Sequence, residues 1–200
     1  MRKIITIGRE FGSGGREVGK RLAEILQIPY YDNEIVTQLA QRTQLAVNYI
    51  NQFSEKKANL IHYFPITVGR SFYRQINPIL LQSSTVHVEQ SKLLKELAQK
   101  SDCVIVGRCA NYILDEFNPL RIFVYAEMDS KIMRCREKAP EHEHMSEKEL
   151  KQHILDVDKS RAQYYKFVTG KRWDDKANYD MLINTTYCPV KDVAQIISQL

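Results

Sequence analysis

The sequence predicts an α/β protein: a parallel sheet of five strands with helices on both faces. Three observations carry that reading. Short apolar, β-branched runs recur along the chain, at Ile4-Ile5-Thr6-Ile7, Cys103-Val104-Ile105-Val106 and Leu120-Arg121-Ile122-Phe123-Val124-Tyr125. Stretches with apolar residues at helical spacing separate them, and such alternation marks a parallel sheet covered on both sides. The first run leads through a glycine-rich turn into an amphipathic helix, the unit from which these sheets are built.

Ile4 to Ile7 reads as a buried strand because it is continuous and β-branched. After the turn, Val18, Leu22, Ile25 and Leu26 fall at i, i+4, i+7 and i+8, one apolar stripe. Pro29-Tyr30-Tyr31 reads as a second strand, ending at Asp32. From 33 to 100 the chain reads as mainly helical. Ile35, Val36, Leu39 and Ala40 make one face, 45–53 and 60–64 make others, and Pro65 and Pro78 interrupt. A helix over 88–99 uses Leu93, Leu94, Leu97 and Ala98. Cys103 to Val106 is the third strand, closed by Gly107-Arg108, and a helix follows through Tyr112-Ile113-Leu114. Leu120 to Tyr125 is the fourth strand. Ser130 is placed to cap a helix through Arg136. Ser146 with Glu149 forms a capping-box pattern, which opens a helix toward Tyr165. Residues 169–178 are polar and read as loop. Met181-Leu182-Ile183 reads as the fifth strand, and 190–200 as the last helix.

Two hundred residues fit one domain. A hydrophobic share of 44% and a charged share of 26% fit a globular chain whose core needs neither disulfide nor metal. They exclude a disordered, collagen-like or coiled-coil chain. No apolar run approaches the ~20 residues of a membrane span. The apolar stretch after Met1-Arg2-Lys3 ends at Gly8, too short for a secretory core. The expected compartment is the cytoplasm, where Cys103, Cys109, Cys135 and Cys188 stay reduced. Their scatter has no zinc-ligand spacing, and His142 and His144 fall in a stretch read as exposed loop. No metal ligands of the chain's own are expected. The net charge of +5 fits an anionic partner. With no recognised nucleic-acid motif, phosphorylated small molecules are favoured over nucleic acid.

In sheets of this kind ligands sit beyond the carboxyl ends of the strands. The informative positions are therefore Gly8–Arg16, Asp32, Gly107-Arg108 and the residues after Tyr125. Glycines at 8, 12, 14 and 15 allow close backbone approach. N–H groups at the start of the following helix form an anion site, and Arg9 and Arg16 flank it. Phosphate binding is the functional reading; a turn that only links strand to helix is the alternative.

Ile5-Thr6-Ile7, Gly12, Gly14, Lys20-Arg21-Leu22-Ala23-Glu24 and Tyr31-Asp32 resemble the N-terminal unit of the cytidylate kinase family of P-loop nucleoside monophosphate kinases, in its divergent cytidylate-kinase-like branch. Val104 to Arg108 resembles that family's strand ending in Gly-Arg, and Arg121 to Val124 its fourth strand. Lys131 with Arg134 resembles its arginine-bearing helix, Asp158-Lys159-Ser160-Arg161 its Asp-x-x-Arg lid motif, and Ile183-Asn184-Thr185-Thr186 its final strand. The likeness spans nearly the whole chain outside 40–100.

The resemblance implies a three-layer P-loop NTPase-like fold, with a helical acceptor-side region over 33–100 and a lid over 130–175. It implies transfer of the ATP γ-phosphoryl group, with Mg2+, to a nucleoside monophosphate, CMP or dCMP first. By the same resemblance Arg9, Gly12, Ser13, Gly14 and Gly15 bind the donor phosphates. Asp32 and Arg108 hold the acceptor, and Arg16, Arg134 and Arg161 stabilise transition-state charge. The residues alone leave alternatives open: an N-cap for Asp32, a surface ion pair for Arg108, and helix-surface charge for Arg134 and Arg161. Asp158 reads rather as an exposed helical carboxylate, and Tyr164, Tyr165 and Trp173 rather as packing groups than as base-stacking ones. Arg70 and Arg74 lie four apart, on a possible cationic helix face.

The departures are specific. A standard phosphate-binding turn reads G-x-x-x-x-G-K-[ST]. In the gapless register its first glycine is Arg9, its lysine is Gly15, and its hydroxyl residue is replaced by Arg16-Glu17. The family's Gly-Arg-Asp is Gly107-Arg108-Cys109 here, and a lid arginine is Ile154. Arg9 or Arg16 then has to supply the missing lysine's charge. These departures support, as alternatives, a regulatory protein that binds nucleotide without turnover, or a kinase for another phosphorylated small molecule.

Overall fold

Alternation along the first strand, β1 (Ile4–Arg9), supplies both layers of the core. Ile5 and Ile7 enter one layer and Ile4 the other. The computed structural model describes residues 3–43, 78–138 and 145–200. The other strands are β2 (Tyr30–Tyr31), β3 (Cys103–Val106), β4 (Leu120–Tyr125) and β5 (Met181–Asn184). They form one five-stranded sheet in the order β2-β3-β1-β4-β5. Every pairing is parallel, with Ile4 opposite Cys103, Ile5 opposite Leu120, Tyr30 opposite Val104 and Ile122 opposite Met181.

The helices are α1 (Gly15–Leu26), α2 (Asn33–Thr43), α3 (Pro78–Lys100), α4 (Ala110–Ile113), α5 (Met128–Lys138), α6 (Glu147–Thr169) and α7 (Val190–Ser198). On one face Val18, Leu22 and Ala23 of α1 and Val193, Ala194 and Ile197 of α7 cover Ile5, Ile7, Val104, Val106, Ile122 and Val124. On the other, Ile35 and Leu39 of α2 and Leu93, Leu94 and Leu97 of α3 cover Ile4, Cys103 and Ile105. Each buried aliphatic side chain contributes about 1.5–3 kcal/mol, so both layers are needed to hold the sheet. A smaller cluster of Ile132, Cys135, Leu150 and Ile154 joins α5 to α6. Among the described residues no helix is long and apolar enough to cross a membrane.

The predicted five-stranded α/β sheet is the one observed. Three local readings change. The helix expected over 88–99 begins ten residues earlier, at Pro78, where a proline in the first turn forfeits no hydrogen bond. Ser130 lies inside α5 rather than at its cap; the helix starts two residues earlier, where Glu127 N–H donates to Thr186 Oγ1 at 2.8 Å. Residues expected as loop from 169 include the end of α6 and a 3-10 turn, Lys176–Asn178. The capping box holds: Ser146 accepts from Glu149 N–H, and Glu149 accepts from Ser146 N–H. The helices expected over 45–53 and 60–64, with Arg70, Arg74, His142 and His144, lie outside the described residues.

Cys103, Cys109 and Cys135 are buried and Cys188 is exposed. Burial pushes the Cys103 thiol up to about 11 and the Cys109 thiol higher still. Thiolate is the reactive form, so a disulfide-exchange reagent at pH 8 should label one thiol per native chain quickly, at Cys188. The other three should react only in denaturant. A second fast thiol in the native protein would contradict the buried placement.

Candidate active site

The carboxyl ends of all five strands carry the residues of interest. Beyond β1, Gly8 to Gly15 turns sharply into α1. Gly12 (φ 74°) and Gly14 (φ 82°) adopt the left-handed conformation that other residues resist, which aims the turn's N–H groups at the start of the helix. The turn is braced from within and below. Ser13 is fully buried, its Oγ donates to Glu10 O at 2.8 Å, and its carbonyl accepts from Thr185 Oγ1 at 2.7 Å, just beyond β5.

Lys131 of α5 packs directly on the turn. A Cβ at position 12 would lie 3.0 Å from the Lys131 Cβ. Its ammonium pairs with Glu10 Oε2 at 2.6 Å and Asp158 Oδ2 at 3.4 Å, with only 7% of the side chain exposed. Asp158 Oδ1 in turn accepts from Phe11 N–H at 2.7 Å. Burial pushes the Asp158 carboxyl up, against the lowering pull of Phe11 N–H, Lys131 and Arg161. Asp158 is therefore a half-buried anchor between α6 and the turn, not the exposed helical carboxylate expected. Arg161, one turn further along α6, donates from Nη1 to Arg9 O at 3.2 Å and lies 5.7 Å from the Phe11 ring centroid.

Beyond β2, Asp32 is buried and collects two arginines. Arg16 Nε stands 2.6 Å from Oδ2 and Arg9 Nη2 3.8 Å from Oδ1. Both arginines assigned to the turn thus lean toward the β2 and β3 side of the sheet. Beyond β3, Gly107, Arg108 and Cys109 occupy the left-handed region in succession, at φ 77°, 58° and 55°. Non-glycine residues there cost roughly 1–3 kcal/mol each and mark functional sites. Gln90 of α3, itself buried, holds this turn: its Nε2 donates to Arg108 O and to Tyr164 Oη, each at 3.0 Å.

A cleft opens between these turns. Arg9, Arg108 and Arg161 line it, with Tyr164, Trp173 and Tyr179. Tyr164 and Tyr165 are buried, as the packing reading expected, and desolvation pushes both phenols up, Tyr165 to about 12. Trp173 packs edge-on against Phe123, with ring centroids 5.2 Å apart. The lining thus combines arginines, which suit a phosphate, with buried aromatic side chains.

Of the sequence-predicted residues, Arg9, Arg108 and Arg161 meet at this cleft, and Gly12, Ser13, Gly14 and Gly15 form the adjoining turn. Asp32 and Arg16 pair beside it. Arg134 stands apart, donating to Thr185 O and to Thr185 Oγ1; burial lowers its pKa. It reaches the turn from below through Thr185. Sequence reasoning names Lys131, Asp158 and Thr185 within family-like motifs but misses Gln90 and the joining of Glu10, Lys131 and Asp158 in one cluster, because these partners lie far apart in the chain. Among the described residues no group of three or more His, Cys, Asp or Glu could hold a metal ion. The carboxylates beside the turn already engage N–H groups or cations: Glu10 and Asp158 as above, Glu17 with Arg21 at 2.9 Å.

Residues 4–187 match the model of the cytidylate kinase-like family. A cytidylate kinase of Sulfolobus acidocaldarius is 24% identical over 196 residues, covering 98% of this chain and 91% of that protein. The crystal structure of an uncharacterised protein from Eubacterium ventriosum is similar over 100% of this chain and 97% of its own, at a TM-score of 0.72 and 29% identity. Shikimate kinase from Bacteroides thetaiotaomicron shares the fold, at a TM-score of 0.57 and 15% identity over 98% of this chain and 97% of its own. The sheet is thus that of a P-loop kinase, and the match over residues 4–187 settles the kinship: this chain belongs to the cytidylate kinase-like family.

Proposed function

We propose that the protein transfers the γ-phosphoryl group of ATP to a nucleoside monophosphate, CMP or dCMP first, in the cytoplasm. One observation carries the reading: three arginines, Arg9, Arg108 and Arg161, line a single cleft beside a glycine-rich turn that opens a helix. The turn's N–H groups, from Gly12 to Arg16, receive the donor phosphates. Arg108 and Asp32 hold the acceptor. Arg161 and Arg16 stabilise the charge that develops on the transferring group, and Arg134 supports the turn through Thr185.

The acceptor phosphate is itself the nucleophile, so no protein base is needed. The region over 33–100 covers the acceptor, and that over 130–175 closes as a lid that keeps water from competing. The turn's own residues do not fit a protein-held magnesium ion. Arg16 and Glu17 stand at the positions of the usual hydroxyl, and Ser13 Oγ is turned to Glu10 O. Magnesium enters as part of the MgATP substrate.

A second reading, a nucleotide-binding regulator without turnover, draws on the ion pairs by which Asp32 holds both Arg9 and Arg16. The test is ADP production from MgATP against a panel of nucleoside monophosphates, with a no-acceptor control. Acceptor-dependent turnover, highest with CMP or dCMP, is the expected result. Binding of ATP or CMP without turnover for any acceptor favours the regulator.

A further inference from the structure

The missing lysine and the extra arginine of the glycine-rich turn are one change, not two. In the standard pattern the first position is glycine and the seventh lysine; here they are Arg9 and Gly15. The structure shows why they go together. A Cβ at position 15 would lie 2.5 Å from the Cβ of Arg9, 3.3 Å from its Cγ and 3.1 Å from the Cβ of Val124. The closest of these atoms is anchored to the backbone and cannot swing away. A side chain at position 9 and one at position 15 therefore exclude each other.

The exchange also changes where the charge goes. Arg9 is the last residue of β1, and its guanidinium lies against Gly107 at the end of β3, where any Cβ would strike Nη1. It stands 3.8 Å from Asp32 at the end of β2, and the Arg9 carbonyl is fixed by Arg161 Nη1. The group faces the cleft that Arg108 and Arg161 also line. Gly107 has a positive φ of its own, and the absence of a Cβ there leaves the Arg9 guanidinium in its present position.

We propose that Arg9 carries the phosphate-neutralising charge of the absent lysine and delivers it from the acceptor side of the transferring group. The inference rests on the phosphoryl-transfer reading above. In that reaction an acceptor phosphate oxygen bonds to the γ-phosphorus of ATP, the bond from that phosphorus to the β–γ bridging oxygen breaks, and ADP leaves with the electron pair. Two anionic groups must approach each other, and a guanidinium fork can bridge oxygens of both. A lysine at position 15 would serve the donor phosphates instead.

Three variants test this: Arg9→Gly, Gly15→Lys and the double variant. Gly15→Lys should lower the melting temperature sharply, and the double variant should recover most of the loss, since the 2.5 Å approach disappears with Arg9 and only the 3.1 Å approach to Val124 remains. Arg9→Gly should fold, lose about a hundredfold in turnover and weaken CMP binding tenfold or more, while ATP binding changes less than threefold. In the double variant ATP should bind more tightly than in Arg9→Gly, with CMP binding still weak. The proposal is overturned if Gly15→Lys is as stable as the wild type, if Arg9→Gly keeps half its turnover, or if Arg9→Gly weakens ATP as much as CMP. Should the wild type transfer to no acceptor, the phosphoryl-transfer reading fails on that result alone. Melting temperatures and calorimetric binding of ATP and CMP still decide the exchange.

Discussion

Replacing Lys131 with methionine is expected to destabilise the protein by about 3–5 kcal/mol at pH 7, because two carboxylates lose their cation inside the structure. Methionine keeps the length of the side chain and its packing on Gly12, so the loss is electrostatic. Glu10 retains Ala126 N–H at 3.3 Å and Asp158 retains Phe11 N–H at 2.7 Å, but neither keeps the ammonium. The sign of the pH dependence follows from Asp158. Burial already holds its carboxyl above the ordinary value, and an acid raised on folding contributes stability below its unfolded pKa, which is lost as pH rises through the folded one. Without Lys131 that rise is larger. The gap between variant and wild type should therefore be widest at pH 7 and narrow toward pH 4–5. Urea unfolding at several pH values measures it. A variant as stable as the wild type at pH 7, or a gap that widens in acid, would contradict the buried cluster.

Arg161→Lys should lower turnover by about a thousandfold, the scale at which a transition-state arginine acts in phosphoryl transfer. Binding of ATP and CMP should change less than fivefold. The guanidinium is held by the Arg9 carbonyl at 3.2 Å, Asp158 Oδ1 at 3.7 Å and the Phe11 ring. An ammonium keeps the charge but has no planar group to lay against the ring. Single-turnover kinetics with saturating MgATP and CMP separates the two cases. If turnover and binding fall together, Arg161 only organises the turn.

The central strands were legible because their signal is local. Ile4–Ile7 and Cys103–Val106 are continuous apolar runs closed by glycine turns, and a strand buried on both faces needs little else. The capping box at Ser146 and Glu149 is likewise a four-residue pattern. What escaped depends on partners distant in the chain. Ser130 looks like a cap, yet α5 begins where Thr186 accepts from Glu127 N–H. Asp158 sits in a charged stretch, yet its partners, Phe11 N–H and Lys131, come from elsewhere in the chain. Arg16 adjoins the turn in sequence, which by itself suggests that its charge serves the transferring group. Parallel packing brings the end of β2 to the same edge, and Asp32 captures it there. Strand ends could be ranked from sequence; which of their charges pair with one another required the sheet order.

That order also bears on how the chain is made. β1 lies between β3 and β4, and Ile4 finds its partner only at Cys103. A ribosome adding about 5–20 residues per second takes on the order of ten seconds to reach that partner. Through that interval Ile4, Ile5 and Ile7 have no sheet to enter. α1, twelve residues long, is marginal on its own, and its apolar stripe has the same unfilled neighbour. The nascent chain thus carries an adhesive segment well before it can be buried, a natural hold for a ribosome-associated chaperone. Synonymous codons that slow synthesis between α2 and β3 would lengthen the exposure and lower the yield of soluble protein without altering a single residue.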